Sequence, residues 1–172
     1  MKKDLAIIAG LFVLIAILLV FGQGFTSLRF LTADGGIGQG ISSDVTIPSR
    51  VNVTIKNLTI DAEAASTPAS RKKGLSKKDS VPFNQGMLFV FDNPGQYGIW
   101  MKDMRFAIDI LWLDEDKKVV DIAVDVPPQQ DKRDSELTIY KPSHNSKYVL
   151  EVNAGLVRLN SIQVGDQAFF NL

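Results

Sequence analysis

Two carboxylates stand where a carboxylate is costly. Asp109 lies within AIDILWL and Glu151 within YVLEVN, and an acid in an apolar run needs a partner or a shifted pKa. Two such groups could act together on a glycosidic or ester bond, one as acid and one as base. Asp109 and Glu151 are therefore the catalytic candidates. The plainer role is structural, with each accepting backbone hydrogen bonds or pairing with Arg71 or Lys102 to fix the fold. Sequence gives no distance between the two acids, so the structural role is the expectation.

Trp100-Met101-Lys102 places an aromatic face, a soft side chain and a cation in three positions. Strand alternation sends Trp100 and Lys102 to one side. A tryptophan face beside hydrogen-bonding acids is a platform for a sugar or another amphipathic ligand. Trp100, Lys102, Asp109, Glu151 and Arg71 are accordingly the expected ligand-binding residues; the rival reading puts Trp100 in the core. Met87, Met101, Met104 and His144 could be read as a soft copper(I) site, but methionine far more often fills a core. His144 is the one histidine and lies in a polar stretch with no Gly-x-Ser-x-Gly context, which argues against a serine triad. HExxH, P-loop and dinucleotide fingerprints are absent from the sequence. No metal and no cofactor is expected.

Composition narrows the classes further. The 172 residues carry 19 basic and 19 acidic side chains, without the basic excess of a nucleic-acid binder, so no nucleic-acid partner is expected. There is no cysteine, which removes disulfide staples, thiolate metal sites and thiol nucleophiles together.

The elements that must position these residues begin after an apolar segment. Leu5 to Phe21 is 17 residues without a charge, about 26 Å as a helix, and extension to Phe25 gives a spanning length. The run is longer than a leader's apolar core and lacks small residues at a cleavage position. Residues 5–25 are thus expected to be a single-pass membrane anchor. Residues 1–4 carry Lys2 and Lys3 and stay cytoplasmic, so the rest is exported to the periplasm or cell surface. Residues 26–50 read as a Gly-rich linker.

From Val51 the pattern turns β-like. Val51, Val53 and Ile55 alternate with polar residues. Thr67-Pro68 opens a short helix that Gly74 closes, and its basic run Arg71, Lys72, Lys73, Lys77, Lys78 reads as a solvated face. Met87 to Phe91 suits a strand buried on both faces, ended by the turn Asp92-Asn93-Pro94-Gly95. Strands follow at 99–101, 107–113 and 119–126, with Asp114 to Lys117 as a hairpin connection. Pro127-Pro128 leads into a polar loop over 127–147. Tyr148 to Val152 is a further strand, Asn153 then caps a helix reaching about Leu159, and Gln167 to Phe170 closes the chain. The fold class is mainly β with short helices (α+β), a compact sandwich or barrel over residues 51–172.

In order and spacing, Arg71-x-x-Gly74-Leu75, Gly86-Met87-Leu88-Phe89-Val90-Phe91, Trp100-Met101-Lys102, Asp109-Ile110, Tyr148 to Gly155 and Gly165-Asp166 resemble the DUF192 family, also called UPF0127, over roughly residues 51–172. The resemblance implies an exported or membrane-tethered domain of small, mainly β fold, and it supplies no reaction. The chain departs from the family pattern at Ser76-Lys77-Lys78, where Met-x-Arg is common. It departs again at Ile99 and Asp103-Met104, where Phe and Asn-Thr are usual.

The expected function is a membrane-tethered module that binds a small molecule, such as a saccharide, or a partner protein without catalysis. The alternatives are a carboxylate-dependent hydrolase of an envelope substrate and a structural accessory subunit of a membrane complex. The anchor has a direct test: N-terminal sequencing of the membrane-extracted chain is expected to start at Met1 or Lys2. A start beyond Phe21 would show a cleaved leader instead.

Overall fold

The structure is a computed structural model that describes residue 47 and residues 49–172. The expected anchor at 5–25, and all of the linker except residues 47, 49 and 50, lie outside the described residues. Among the described residues no helix is long and apolar enough to cross a membrane.

Alternating residues start the domain. Strands β1 (Arg50–Ile55) and β2 (Leu58–Ala65) form an antiparallel hairpin, joined through two residues of which Lys56 has φ +50°, as tight hairpins require. Helix α1 (Pro68–Lys73) follows. Thr67 and Ser70 form a reciprocal capping box at its start, with Thr67 Oγ1 accepting from Ser70 N at 3.1 Å and Ser70 Oγ accepting from Thr67 N at 3.0 Å. Gly74, at φ +52°, closes it. This crossover lets β3 (Gln85–Gly95) lie parallel to β2. The remaining elements are β4 (Ile99–Trp100), β5 (Ile108–Leu113), β6 (Val119–Val126), a 3-10 turn (Asp134–Glu136), β7 (Ile139–Tyr140), β8 (Ser146–Asn153), α2 (Leu156–Leu159) and β9 (Ala168–Phe169).

Seven strands form one curled sheet in the order β6-β5-β8-β3-β2-β1-β9, and β4 pairs with β7 separately. The sheet is a half-barrel rather than a sandwich. Its two edges meet at one end, where Val119 N donates to Asp166 O and Ala168 N to Lys117 O, each at 2.9 Å.

The period of two in the strands divides the interior. Val51, Val53, Ile55, Ile60, Leu88, Leu111, Leu113, Leu150 and Val152 fill the concave face. Met87, Phe89, Ile108, Ile110, Trp112 and Val149 lie on the convex face under a cover that includes Leu75, Ile99, Met101 and Met104. Strands β3, β5 and β8 are therefore buried on both sides, which explains their continuous apolar sequences.

Some local expectations are corrected. The turn at 92–95 is absorbed into β3, which continues to Gly95 with a shifted register between Val90 and Gly95. Asn153 does not cap α2: its Nδ2 donates to Val81 O at 3.2 Å and Pro82 O at 3.0 Å, while Gly155, at φ +89°, takes the cap position. The polar stretch at 127–147 holds the 3-10 turn, β7 and the start of β8. The connection at 114–117 forms as expected, with Lys117 N donating to Asp114 O at 3.1 Å.

Gly86 of β3 has no room for a side chain against β8, since a Cβ there would stand 2.2 Å from Glu151 O. Gly86→Ala must spread this central pair, at a cost of about 3 kcal/mol as for other overpacked core positions. Urea unfolding of the variant checks it, and an unchanged midpoint would contradict the close approach.

Candidate functional site

The sheet register decides what the two acids can do together. Ile110 and Met87 both pair with Glu151, and Asp109 pairs with Val152. Directly paired residues share a face and sequence neighbours alternate. Asp109 thus points to the concave side with Leu111, whereas Glu151 points to the convex side with Val149. A seven-stranded sheet separates them, so they cannot flank one bond. The paired-carboxylate arrangement considered from sequence is corrected on this ground.

Asp109 is fully buried and fully used. Its Oδ1 accepts from Asp125 N at 2.8 Å and its Oδ2 from Val157 N at 2.9 Å. Val157 lies in the first turn of α2, whose own cap is glycine and offers no side-chain oxygen. A carboxylate from β5 therefore supplies the helix cap that local sequence lacks, and Asp109 takes the structural role.

Glu151 behaves oppositely. It is 4% exposed, and its Oε2 is buried without a hydrogen-bond partner. No cation among the described residues forms a salt bridge with it. Burial pushes its pKa up to about 8, so the folded protein holds Glu151 as a neutral acid at pH 7.

Glu151 contributes to the lining of a cleft of about 150 Å³. Phe89, Phe91, Tyr97, Ile99, Trp100 and Met104 supply its apolar lining, and Arg71, Lys72, Lys73 and Lys102 its cations. Phe89 and Phe91 reach the same face as Met87 by the period of β3. Tyr97 stacks flat on Phe91, with centroids 3.5 Å apart, and is fixed by Trp112 Nε1 donating to its carbonyl at 2.8 Å. Gly74 belongs to the wall as well, with its φ of +52° and with Phe89 3.6 Å from where a Cβ would stand.

Four of the five expected ligand residues meet here: Arg71, Trp100, Lys102 and Glu151. Asp109 does not. Trp100 is 40% exposed at the cleft while Ile99, which also borders the cleft, and Met101 are buried on either side. Lys102 Nζ lies 5.6 Å from the Trp100 ring centre and pairs with Asp134. The solvated-face reading of the basic run fails at Arg71. Its Nη1 donates to Ser66 O at 2.6 Å and Val90 O at 2.8 Å, and its guanidinium lies 4.9 Å from the Phe91 ring centre.

Sequence reasoning missed Phe89, Phe91, Tyr97, Lys72 and Lys73 as site residues. The spacing of Phe89 and Phe91 signals a shared face, but only the register shows that Glu151 shares it. Ser76, Ile99 and Met104, where the chain departs from the pattern it resembles, all line the cleft.

Other candidates resolve differently. Met87, Met101 and Met104 are packed in the convex core, and no cluster of three metal-ligating acids or histidines occurs among the described residues. Ser143 Oγ donates to Asp121 Oδ2 at 2.7 Å and lies 3.2 Å from His144 Nδ1. The serine, and not the histidine, meets the acid, so Asp121 does not orient the imidazole as a triad needs.

A family model, DUF192, described as "Uncharacterized ACR", matches residues 51–170. A UPF0127 protein of Thermococcus gammatolerans is 32% identical over 106 residues, covering 60% of this chain and 62% of the relative. Another from Pyrococcus furiosus is 30% identical over 79 residues, covering 46% and 58%. The chain spans about three fifths of the length of these curated relatives. A protein of unknown function from Novosphingobium aromaticivorans has a similar solved structure, with a TM-score of 0.62 at 27% identity over 70% of this chain and 83% of that one. A proposed transcription regulator of Sinorhizobium meliloti matches with a TM-score of 0.62 at 26% identity, over 70% and 92%.

The Glu151 environment has a measurable cost. Because the folded pKa lies above the ordinary 4.5, stability is fully present below pH 4.5 and falls as pH rises, levelling off above about 8. From 4.5 to about 8, at about 1.4 kcal/mol per pH unit, the loss is at most roughly 5 kcal/mol. Glu151→Gln is expected to remove this decline, so that the variant gains on the parent between pH 5 and 8. Parallel pH–denaturation curves for the two proteins would contradict the assignment.

Proposed function

Since the chain belongs to the DUF192 family over residues 51–170, and that family is described only as uncharacterised, its activity must be argued from its own site; we propose that the cleft over Glu151 is a noncatalytic binding site for a small molecule. One observation carries this reading: a buried carboxyl with no protein partner borders a cleft lined by aromatic side chains. An unpartnered buried polar group costs stability, and a ligand that hydrogen-bonds to it recovers that cost. Such a cleft, apolar in its lining with a few convergent polar groups, has the usual form of a ligand site. The separation of Asp109 from Glu151 leaves the hydrolase reading without its second carboxylate.

The tether is part of the same proposal. The apolar run from Leu5 to Phe21, preceded by Lys2 and Lys3, supports a single-pass anchor with the domain presented outside the cytoplasm.

A thermal-shift screen of the detergent-solubilised full chain against sugars, amino acids and organic acids tests the binding reading. A specific ligand at about one hundred times its Kd stabilises the fold by about 2.7 kcal/mol, a rise of several degrees. Trp100→Ala should unfold cooperatively near the parental temperature and lose that rise. A ligand-induced rise retained in full by Trp100→Ala would place binding elsewhere.

A further inference from the structure

The cleft is unequal in charge. Arg71, Lys72, Lys73 and Lys102 line it, and its one acid, Glu151, is kept protonated by burial. Lys102 is engaged by Asp134. The cleft beside Glu151 therefore keeps three cations, Arg71, Lys72 and Lys73, with no carboxylate paired to them among the described residues.

Arg71 is also preorganised. Its two Nη1 hydrogens are spent on Ser66 O and Val90 O, and Phe91 supports its plane. Among the described residues no acceptor meets Nε or Nη2. Two parallel N–H groups on one guanidinium edge match the two oxygens of a carboxylate, and an edge already held in place loses little freedom on binding.

The apolar lining sets the rest of the ligand. A cleft of about 150 Å³ matches the size of a cavity that accepts a single benzene ring, and Tyr97 and Trp100 offer aromatic surface for it. We propose that this cleft selects a small organic carboxylate with a one-ring body. Its anionic head sits on the free Arg71 edge in the field of Lys72 and Lys73, its ring lies among the aromatic side chains, and the protonated Glu151 donates a hydrogen bond to it. A phosphate monoester would bring further oxygens and a second charge, for which Glu151 has one proton to give. An ammonium ligand would meet the unbalanced cations. This inference rests on the cleft being a ligand site and adds the chemical class.

Matched probes separate the two claims. The detergent-solubilised full chain is titrated at pH 7 with phenylacetate, benzyl alcohol, benzylamine, phenyl phosphate, glucose and glucuronate, following the indole N–H signal of Trp100 by NMR. Phenylacetate is expected to shift that signal saturably and to bind at least about tenfold more tightly than benzyl alcohol. Arg71→Lys should lose about tenfold for phenylacetate, and a folded variant with unchanged phenylacetate affinity overturns the proposal.

Should Arg71→Lys fail to fold, the double change Lys72→Gln and Lys73→Gln, at two exposed positions, decides in its place. It should weaken phenylacetate by about threefold or more, and unchanged affinity overturns the proposal. Equal or tighter binding of benzyl alcohol or glucose overturns the carboxylate while leaving a ligand site. Tighter binding of phenyl phosphate or benzylamine overturns it by naming another class. If no probe moves the Trp100 signal, both the carboxylate and the binding reading fall.

Discussion

Strand β8 lies between β3 and β5 and is covered on both faces, and its register governs the rest of the molecule. With Glu151 opposite Met87 on one side and Ile110 on the other, its carboxyl must point to the convex face. A slip of one residue would turn that carboxyl into the concave core and Leu150 out of it. Gly86 holds the register, because its missing Cβ lets the two central backbones close together. The placement of a buried acid is thus a consequence of backbone pairing.

The convex layer is where sealing stops. Leu75, Ile99, Met101 and Met104 cover most of that face, but α1 and the segment around Tyr97 leave room over Glu151. The concave core contains the other acid, and there each oxygen is satisfied by a backbone N–H. One sheet therefore shows two solutions to burying a carboxyl. Asp109 stays in place by capping a helix, at no unmet polar cost. Glu151 stays in place by holding its proton, and its buried Oε2 goes without a partner. The first arrangement serves stability. The second sacrifices stability.

Solved structures with TM-scores of 0.62 share the fold at 26–27% identity, so the half-barrel accommodates wide sequence change. Ser76, Ile99 and Met104, where the chain departs from the pattern it resembles, gather at the cleft.

Much of the architecture was legible in the residues. The alternation of Val51, Val53 and Ile55, the Thr67-Pro68 start and Gly74 stop of α1, and the apolar runs of β3, β5 and β8 are local signals, and local propensity and period specify them. The order of short motifs pointed to the family; Trp100 and Lys102 do meet, but through a turn after β4 ends at Trp100 and not by strand alternation. Asn153 looked like a cap because capping propensity is local, whereas its actual acceptors are the Val81 and Pro82 carbonyls, some 70 residues away. Asp109 and Glu151 looked alike because each interrupts an apolar strand. Pairing between distant strands sent one to a helix that needed a cap and the other to a face left partly open, and no local pattern carries that information. The sequence by itself determined which segments are strands and which residue types they bury; tertiary structure alone decided which face each acid occupies, because face follows from register and register from contacts between segments remote in the chain.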